Sequence, residues 1–299
     1  MSESISLALR HNTAVNDDDL AHFDAQAFGL ECLGGDVVSE QWAATAESFG
    51  MVSITLDDPP QSDPASGVEQ AYLELAKKAQ SLGFEHWLRI WQFIPAINQG
   101  SGDNERYRRF CVGRARALAL LGLSDQRMCA ATAIGCHDDQ FRLFALVGKH
   151  PGRSIENPRQ ISAWQYPRQY GPVSPAFARA TALSLNANND AQVGLLISGT
   201  ASVVGHASQH VDDVVAQTKE AMNNVEAVMA EAERMYNRPM GSVGQDTHVR
   251  AYVRQATDGE AVLATLRGRW PNTPIMGLRG DICRPELLVE IEAWHPSQD

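Results

Sequence analysis

The sequence predicts an α+β fold made of two copies of one unit, each a mixed sheet with helices packed on one face. Three observations predict it. Apolar residues recur at helical spacing in some segments and gather into β-branched and aromatic runs in others. The order helix, strand, helix, strand pair occurs in the first half of the chain and again in the second. With 299 residues, 44% of them hydrophobic, the chain can build a substantial core without staples.

Taken in order, residues 57–67 (DDPPQSDPASG) are polar and proline-rich and read as a loop. From Val68 to Leu82, the spacing of Tyr72, Leu75, Ala76 and Ala79 predicts a helix, which Gly83 ends. HWLRIWQFIP (86–95) predicts a strand stopped by Pro95. Residues 104–123 read as a second helix, and 131–148 as a hairpin-like strand pair around His137 to Gln140. In the second half, 194–205 predicts a strand running into a loop. Asp212 or Asp213 then caps a long helix whose Val214, Thr218, Ala221, Met222, Val225, Val228, Met229 and Ala232 form one stripe. A strand over 248–256, a helix opening at Asp258 and a strand pair over 275–294 close the chain.

Laying the two closing pairs on each other with Cys136 over Cys283 puts Leu143 where Glu290 stands. The first copy therefore reads as a degenerate scaffold (1–155) and the second as the catalytic unit (156–299). In the last strand Leu288, Glu290 and Glu292 share one face and Leu287, Val289 and Ile291 the other. Packing alone gives no reason for Glu290.

Composition removes several function classes. The net charge of −11, from 36 acidic against 25 basic residues, offers no basic stripe for nucleic acid or an anionic membrane surface. Cys32, Cys111, Cys129, Cys136 and Cys283 are odd in number, scattered and without a CxxC pair, which suits a reducing compartment. Together with a start that lacks a signal-peptide pattern, this predicts a cytoplasmic protein. No phosphate loop, GxSxG elbow or dinucleotide fingerprint is present. His206 and His210, with Asp212 and Asp213 after them, lack a third ligand at recognisable spacing, so neither metal nor cofactor is expected.

The segment 156–180 is unlike a solvated linker. Pro158, Pro167, Pro172 and Pro175 exclude a regular helix, while Trp164, Tyr166, Tyr170 and Phe177 alternate with Arg159, Arg168 and Arg179. Such a stiff loop suits either a packed crossover between units or a grip on a planar, anionic ligand.

Residues 193–294 resemble the RidA (YjgF) family of small α+β proteins, through Ser198 and Gly199 at a strand end, the AQTKEAMNNVEAVMAEA helix, VRAYVR and VEIEA. The resemblance implies water chemistry at Glu290. Where that family carries its substrate-binding arginine, this sequence has Ile275 and Met276, which argues against a plain imine deaminase.

The chain is more closely similar to the chorismatases, two-domain relatives of that fold, over most of residues 100–295. The similarity lies in ERYRRFCVGRARAL, ENPRQISAWQYPRQYGPVSPAFARA, LLISGTASVVGHASQHVDD and DICRPELLVEIEAW. It implies removal of the enolpyruvyl group of chorismate as pyruvate, without a cofactor. One branch of that family hydrolyses the ether to a dihydroxycyclohexadiene carboxylate. Another forms 3-hydroxybenzoate, in some members with 4-hydroxybenzoate, and is marked by a Gly in the SGT element and a Cys seven residues before the catalytic Glu. Gly199 and Cys283 match that second pattern.

The resemblance thus implies Glu290 as proton donor, with Cys283 and Gly199 shaping the pocket around the ring. A dianionic substrate needs anion clamps. The candidates are Tyr107 and Arg114, seven apart on one helix face; Tyr166, Arg168, Tyr170 and Arg179 from the central loop; Thr200; and Arg254, taken to share a strand face with Tyr252 and Arg250. The expected activity is conversion of chorismate to 3-hydroxybenzoate and pyruvate, with or without some 4-hydroxybenzoate, for secondary metabolism; the alternatives are hydrolysis to the dihydroxycyclohexadiene carboxylate and pyruvate, or a RidA-like imine deaminase or binding protein. The expected protein is a monomer or homo-oligomer with no nucleic-acid or membrane partner.

Overall fold

The structure, a computed structural model, describes residues 6–9, 30–35, 48–124, 128–186 and 189–296. The strands β1 (Ser6–Leu9), β2 (Glu31–Gly35) and β3 (Phe49–Asp57) precede α1 (Pro64–Ser81). Next come β4 (His86–Pro95), α2 (Arg106–Leu120), β5 (Ala130–Cys136), β6 (Gln140–Gly148) and β7 (Arg153–Ile155). After the crossover lie β8 (Ala180–Asn186), β9 (Asn189–Ala201), and the short strands β10 (Val203–Val204) and β11 (Ala207–Ser208). The chain continues through α3 (Val214–Tyr236), β12 (His248–Val253), α4 (Gly259–Arg269), β13 (Ile275–Arg279) and β14 (Val289–Pro296).

Local chemistry explains the helix ends. Asp63 caps α1 by accepting from the Ala65 amide, and Pro64 opens the helix with its φ already suited to it. Asp213, the second of the two candidates, caps α3 through the Ala216 amide, and Asn237 ends that helix in the left-handed region at φ 51°.

The first sheet runs β1-β3-β6-β4-β5 and the second β2-β13-β12-β14-β9-β8-β7. Within them β3-β6-β4-β5 matches β9-β14-β12-β13 in order, and in each set the last two strands are the parallel pair. This is the two-copy architecture that the element order predicted. The closing strands, however, are not hairpins. β4 lies between β5 and β6, and β12 lies between β13 and β14, because the helical crossover from β4 to β5 brings β5 in parallel on the far side.

Three apolar layers result. One lies between α3, α4 and the seven-stranded sheet, a second between α1, α2 and the five-stranded sheet, and a third between the two sheets. Leu143 belongs to the helix-facing layer, whereas Glu290 stands on the face turned to the other sheet with Trp294. The overlay of Leu143 on Glu290 therefore pairs opposite faces, since a shift by one residue exchanges them. The division at 155 also differs from the sheet membership: β2 and β7 both pair into the second sheet. Among the described residues no helix is long and apolar enough to cross a membrane.

Candidate active site

Where the two units meet, the edge strand β5 and helix α2 of the first face β9, β14 and the crossover of the second. A cavity of about 340 Å³ opens there, large enough for a small organic acid. Glu290, Cys283, Gly199, Tyr107, Arg114, Tyr166, Tyr170 and Arg179, all expected at the site from the sequence, line it.

Strand pairing fixes Glu290. It lies opposite Tyr252 on β12 and Ala201 on β9. β9 carries a bulge here, with Ile197 opposite Ala293 but Thr200 opposite Ile291, so three steps on β9 match two on β14. The extra residue brings Gly199 against the Glu290 carboxyl, where a β-carbon on Gly199 would collide with Oε1. Glu290 is buried, and no hydrogen bond to its carboxyl is found among the described residues. Burial first, then the neighbouring Glu292, pushes its pKa up to about 8. The group is thus a protonated acid at neutral pH.

Glu292, two residues on, is buried as well but richly partnered. Its Oε1 accepts from Arg250 at 2.8 Å, the Trp91 indole at 3.0 Å and the Tyr252 hydroxyl at 3.0 Å. Its Oε2 accepts from Arg89 at 2.8 Å and from the Thr132 hydroxyl. Despite its burial, the two guanidinium groups hold its carboxyl below the usual range, so it stays ionised. Thr132 Oγ1 also accepts from the Gly199 amide at 2.9 Å, which pins the bulge to the first unit.

Cys283 sits on the loop between β13 and β14, its thiol pushed up to about 12 by burial and then by Glu290. It is a neutral thiol at the cavity wall. Arg254 holds this loop: its guanidinium donates to the carbonyls of Leu287, Ile282 and Arg284 and to the side chains of Asn98 and Asp281. Gln217 of α3 adds bonds to the Glu286 carbonyl and the Leu288 amide.

The cations differ in how free they are. Arg114 is 2% exposed, rests over the Phe110 ring and has no carboxylate within 4 Å among the described residues; its partners are the neutral side chains of Gln92, Cys111 and Tyr72. A buried guanidinium without a counterion favours an anionic ligand. Arg179 donates to the Ile161 carbonyl and the Tyr166 hydroxyl, while its Nε finds no partner. Burial raises the Tyr107 phenol well above its ordinary value, so it remains a hydroxyl.

Three expected binding residues stand elsewhere. Arg168 pairs with Asp103 on the exposed surface. Thr200 is turned by the bulge to the face of Ile291 and donates to the Ser198 carbonyl. Arg254 lies just past the end of β12 and spends its donors on the loop. Conversely, Arg284 was missed. It lines the cavity with its guanidinium 3.9 Å from the centroid of the Tyr170 ring and 5.3 Å from that of Tyr166. The loop's aromatics signalled a cation partner, but nothing local showed that it came from beside Cys283. Gln92 and Thr132 were missed for a similar reason: they belong to the unit read as scaffold. His206 contacts the Tyr170 hydroxyl and His210 faces Glu220, and no group of three or more metal-binding side chains occurs among the described residues.

A family profile described as chorismatase FkbO/Hyg5-like, N-terminal, matches residues 36–147. A 3-hydroxybenzoate synthase of Streptomyces hygroscopicus is 35% identical over 239 residues, covering 78% of this chain and 70% of that protein. A chorismatase of the same organism is 37% identical over 257 residues, covering 84% of this chain and 72% of its own length. A crystal structure of a chorismatase superposes with a TM-score of 0.76 at 31% identity, over 89% of this chain and 78% of that one. The chain belongs to the chorismatase family.

Proposed function

We propose that this chain converts chorismate to 3-hydroxybenzoate and pyruvate, with Glu290 as the acid that starts the reaction. The observation that carries the reading is the Glu290 carboxyl: buried, unpartnered, and held protonated up to about pH 8 at the wall of a cavity that also exposes Arg114 and Arg179. A carboxylic acid kept neutral in an apolar seat is the form needed to protonate an enol ether.

In this reading the two arginines take the substrate carboxylates, and the Tyr107 hydroxyl and Gln92 supply neutral hydrogen bonds. Glu290 delivers its proton to the enolpyruvyl methylene. The ring 4-hydroxyl then attacks the neighbouring ring carbon, and the ether oxygen leaves with its electron pair as the ketone of pyruvate. The hydroxyl proton returns to Glu290. Opening of the bridged oxide at its C4 bond and loss of the C3 proton give the aromatic ring, so no water or redox equivalent is consumed. Cys283 and Gly199 shape the volume beside the acid, and the neutral thiol fits a packing role better than a nucleophilic one. The relative named 3-hydroxybenzoate synthase supports this product.

The test is release of pyruvate from chorismate. The wild-type chain is expected to release it, with kcat/KM falling above about pH 8 as Glu290 ionises. Glu290→Gln is expected to lower turnover by roughly 10²-fold or more, the size of a lost general acid. Retained turnover in that variant would move the proton donor elsewhere.

A further inference from the structure

The Glu292 cluster is larger than strand packing requires. It joins Arg89, Trp91 and Thr132 of the first unit to Arg250 and Tyr252 of the second around one buried carboxylate, two residues from the acid on the same strand face. Replacing such a cluster with apolar residues would often cost nothing in stability, so its presence calls for another account. We propose that Glu292 is a positioning residue for the reaction: its fixed negative charge adds to burial in keeping the proton on Glu290, and the arginines around it set how strongly that charge is felt. The first unit, through Arg89, Trp91 and Thr132, thereby acts on the chemistry of the second.

Geometry supports a through-space role. Glu290 faces Arg89 from β4, Tyr252 from β12, Arg179 from the crossover, Tyr107 from α2 and Cys283 from the closing loop. Of these, Tyr107, Tyr252 and Cys283 stay neutral, because burial raises all three. Glu292 is therefore the negative charge acting on Glu290, opposed by Arg89 and Arg179. Its five donors keep it ionised across the working range. Thr132 adds a mechanical link, since the hydroxyl that donates to Glu292 also accepts from the Gly199 amide.

The proposal deepens the reading of Glu290 as the acid and rests on it. Two substitutions move the charge in opposite senses. Glu292→Gln removes the negative charge and is expected to lower the upper limb of the kcat/KM profile by about one pH unit or more. Arg250→Met leaves Glu292 with Arg89, Trp91, Tyr252 and Thr132 and is expected to raise that limb. A purely structural cluster would lower activity at every pH and leave the limb in place. The Glu290 carboxyl is also titrated directly, by its infrared C=O band in the substrate-free protein, assigned by its loss in Glu290→Gln. Opposite shifts of that band in the two variants support the proposal; no shift, or shifts in one direction, overturn it. Because the titration needs no turnover, it judges the cluster even if Glu290→Gln stays active and the acid assignment fails. Should Glu292→Gln not fold, an unmoved or lowered titration in Arg250→Met overturns the proposal by itself.

Discussion

At Gly199 a β-carbon would fall against the Glu290 carboxyl, so a side chain at position 199 and the present seat of the acid exclude each other. The neighbour that must give way is the end of a flexible side chain, and the backbone at Gly199 needs no unusual φ. Gly199→Ala is therefore expected to fold normally while the carboxyl turns away from its seat. Displacing a reacting group by about 1 Å costs on the order of 10²-fold in rate. Steady-state kinetics and a melting curve check this together: kcat should fall steeply with Tm nearly unchanged, and undiminished kcat would show that the acid does not need this seat. At this scale much of the site was legible in the sequence. Glu290 was visible as a carboxylate that strand packing did not need, and Cys283, Tyr107, Arg114 and Arg179 all reach the cavity.

What escaped the sequence belongs to the scale of elements. Thr200 was expected among the groups that bind substrate, but the bulge in β9 inserts one residue and reverses the parity beyond it. Arg254 was placed on the face of Arg250 and Tyr252, but β12 ends at Val253 and the next residue follows the turn toward the loop. Its task is consequently to hold an element. The Asp281 to Leu287 loop, which carries Cys283 and Arg284 to the cavity, is tied to Arg254 through three carbonyls and Asp281. Arg254→Leu leaves those partners unsatisfied in a mostly buried place and is expected to cost about 2–4 kcal/mol of stability. It should also raise KM, since Arg284 and Cys283 lose their placement. Denaturant unfolding and kinetics read both effects; an unchanged KM would show that the loop holds its form without Arg254.

Over the whole molecule, two sheets meet face to face and Glu290 lies at their seam, which gives stability a pH dependence with a definite sign. Glu290 ionises near 8 in the folded chain against 4.5 ordinarily, so the folded chain keeps a proton that the unfolded chain has released. The stability that this group allows is complete below about pH 4.5 and is lost as pH rises to about 8. Glu290→Gln has no charge to bury, so its Tm relative to wild type is expected to climb between pH 5 and 9, by an amount corresponding to about 4 kcal/mol. Parallel curves would mean that the seam tolerates the charge. The repeated architecture was legible in the order of elements because each helix and strand carries its own periodicity. The strand order within each sheet was not, because partner choice is settled by the crossovers and by long-range packing.

The most direct measurement of the central claim is chromatographic identification of the products when the purified chain is given chorismate. The account predicts pyruvate and 3-hydroxybenzoate in equal amounts. A dihydroxycyclohexadiene carboxylate as the main product, or no pyruvate at all, would contradict it.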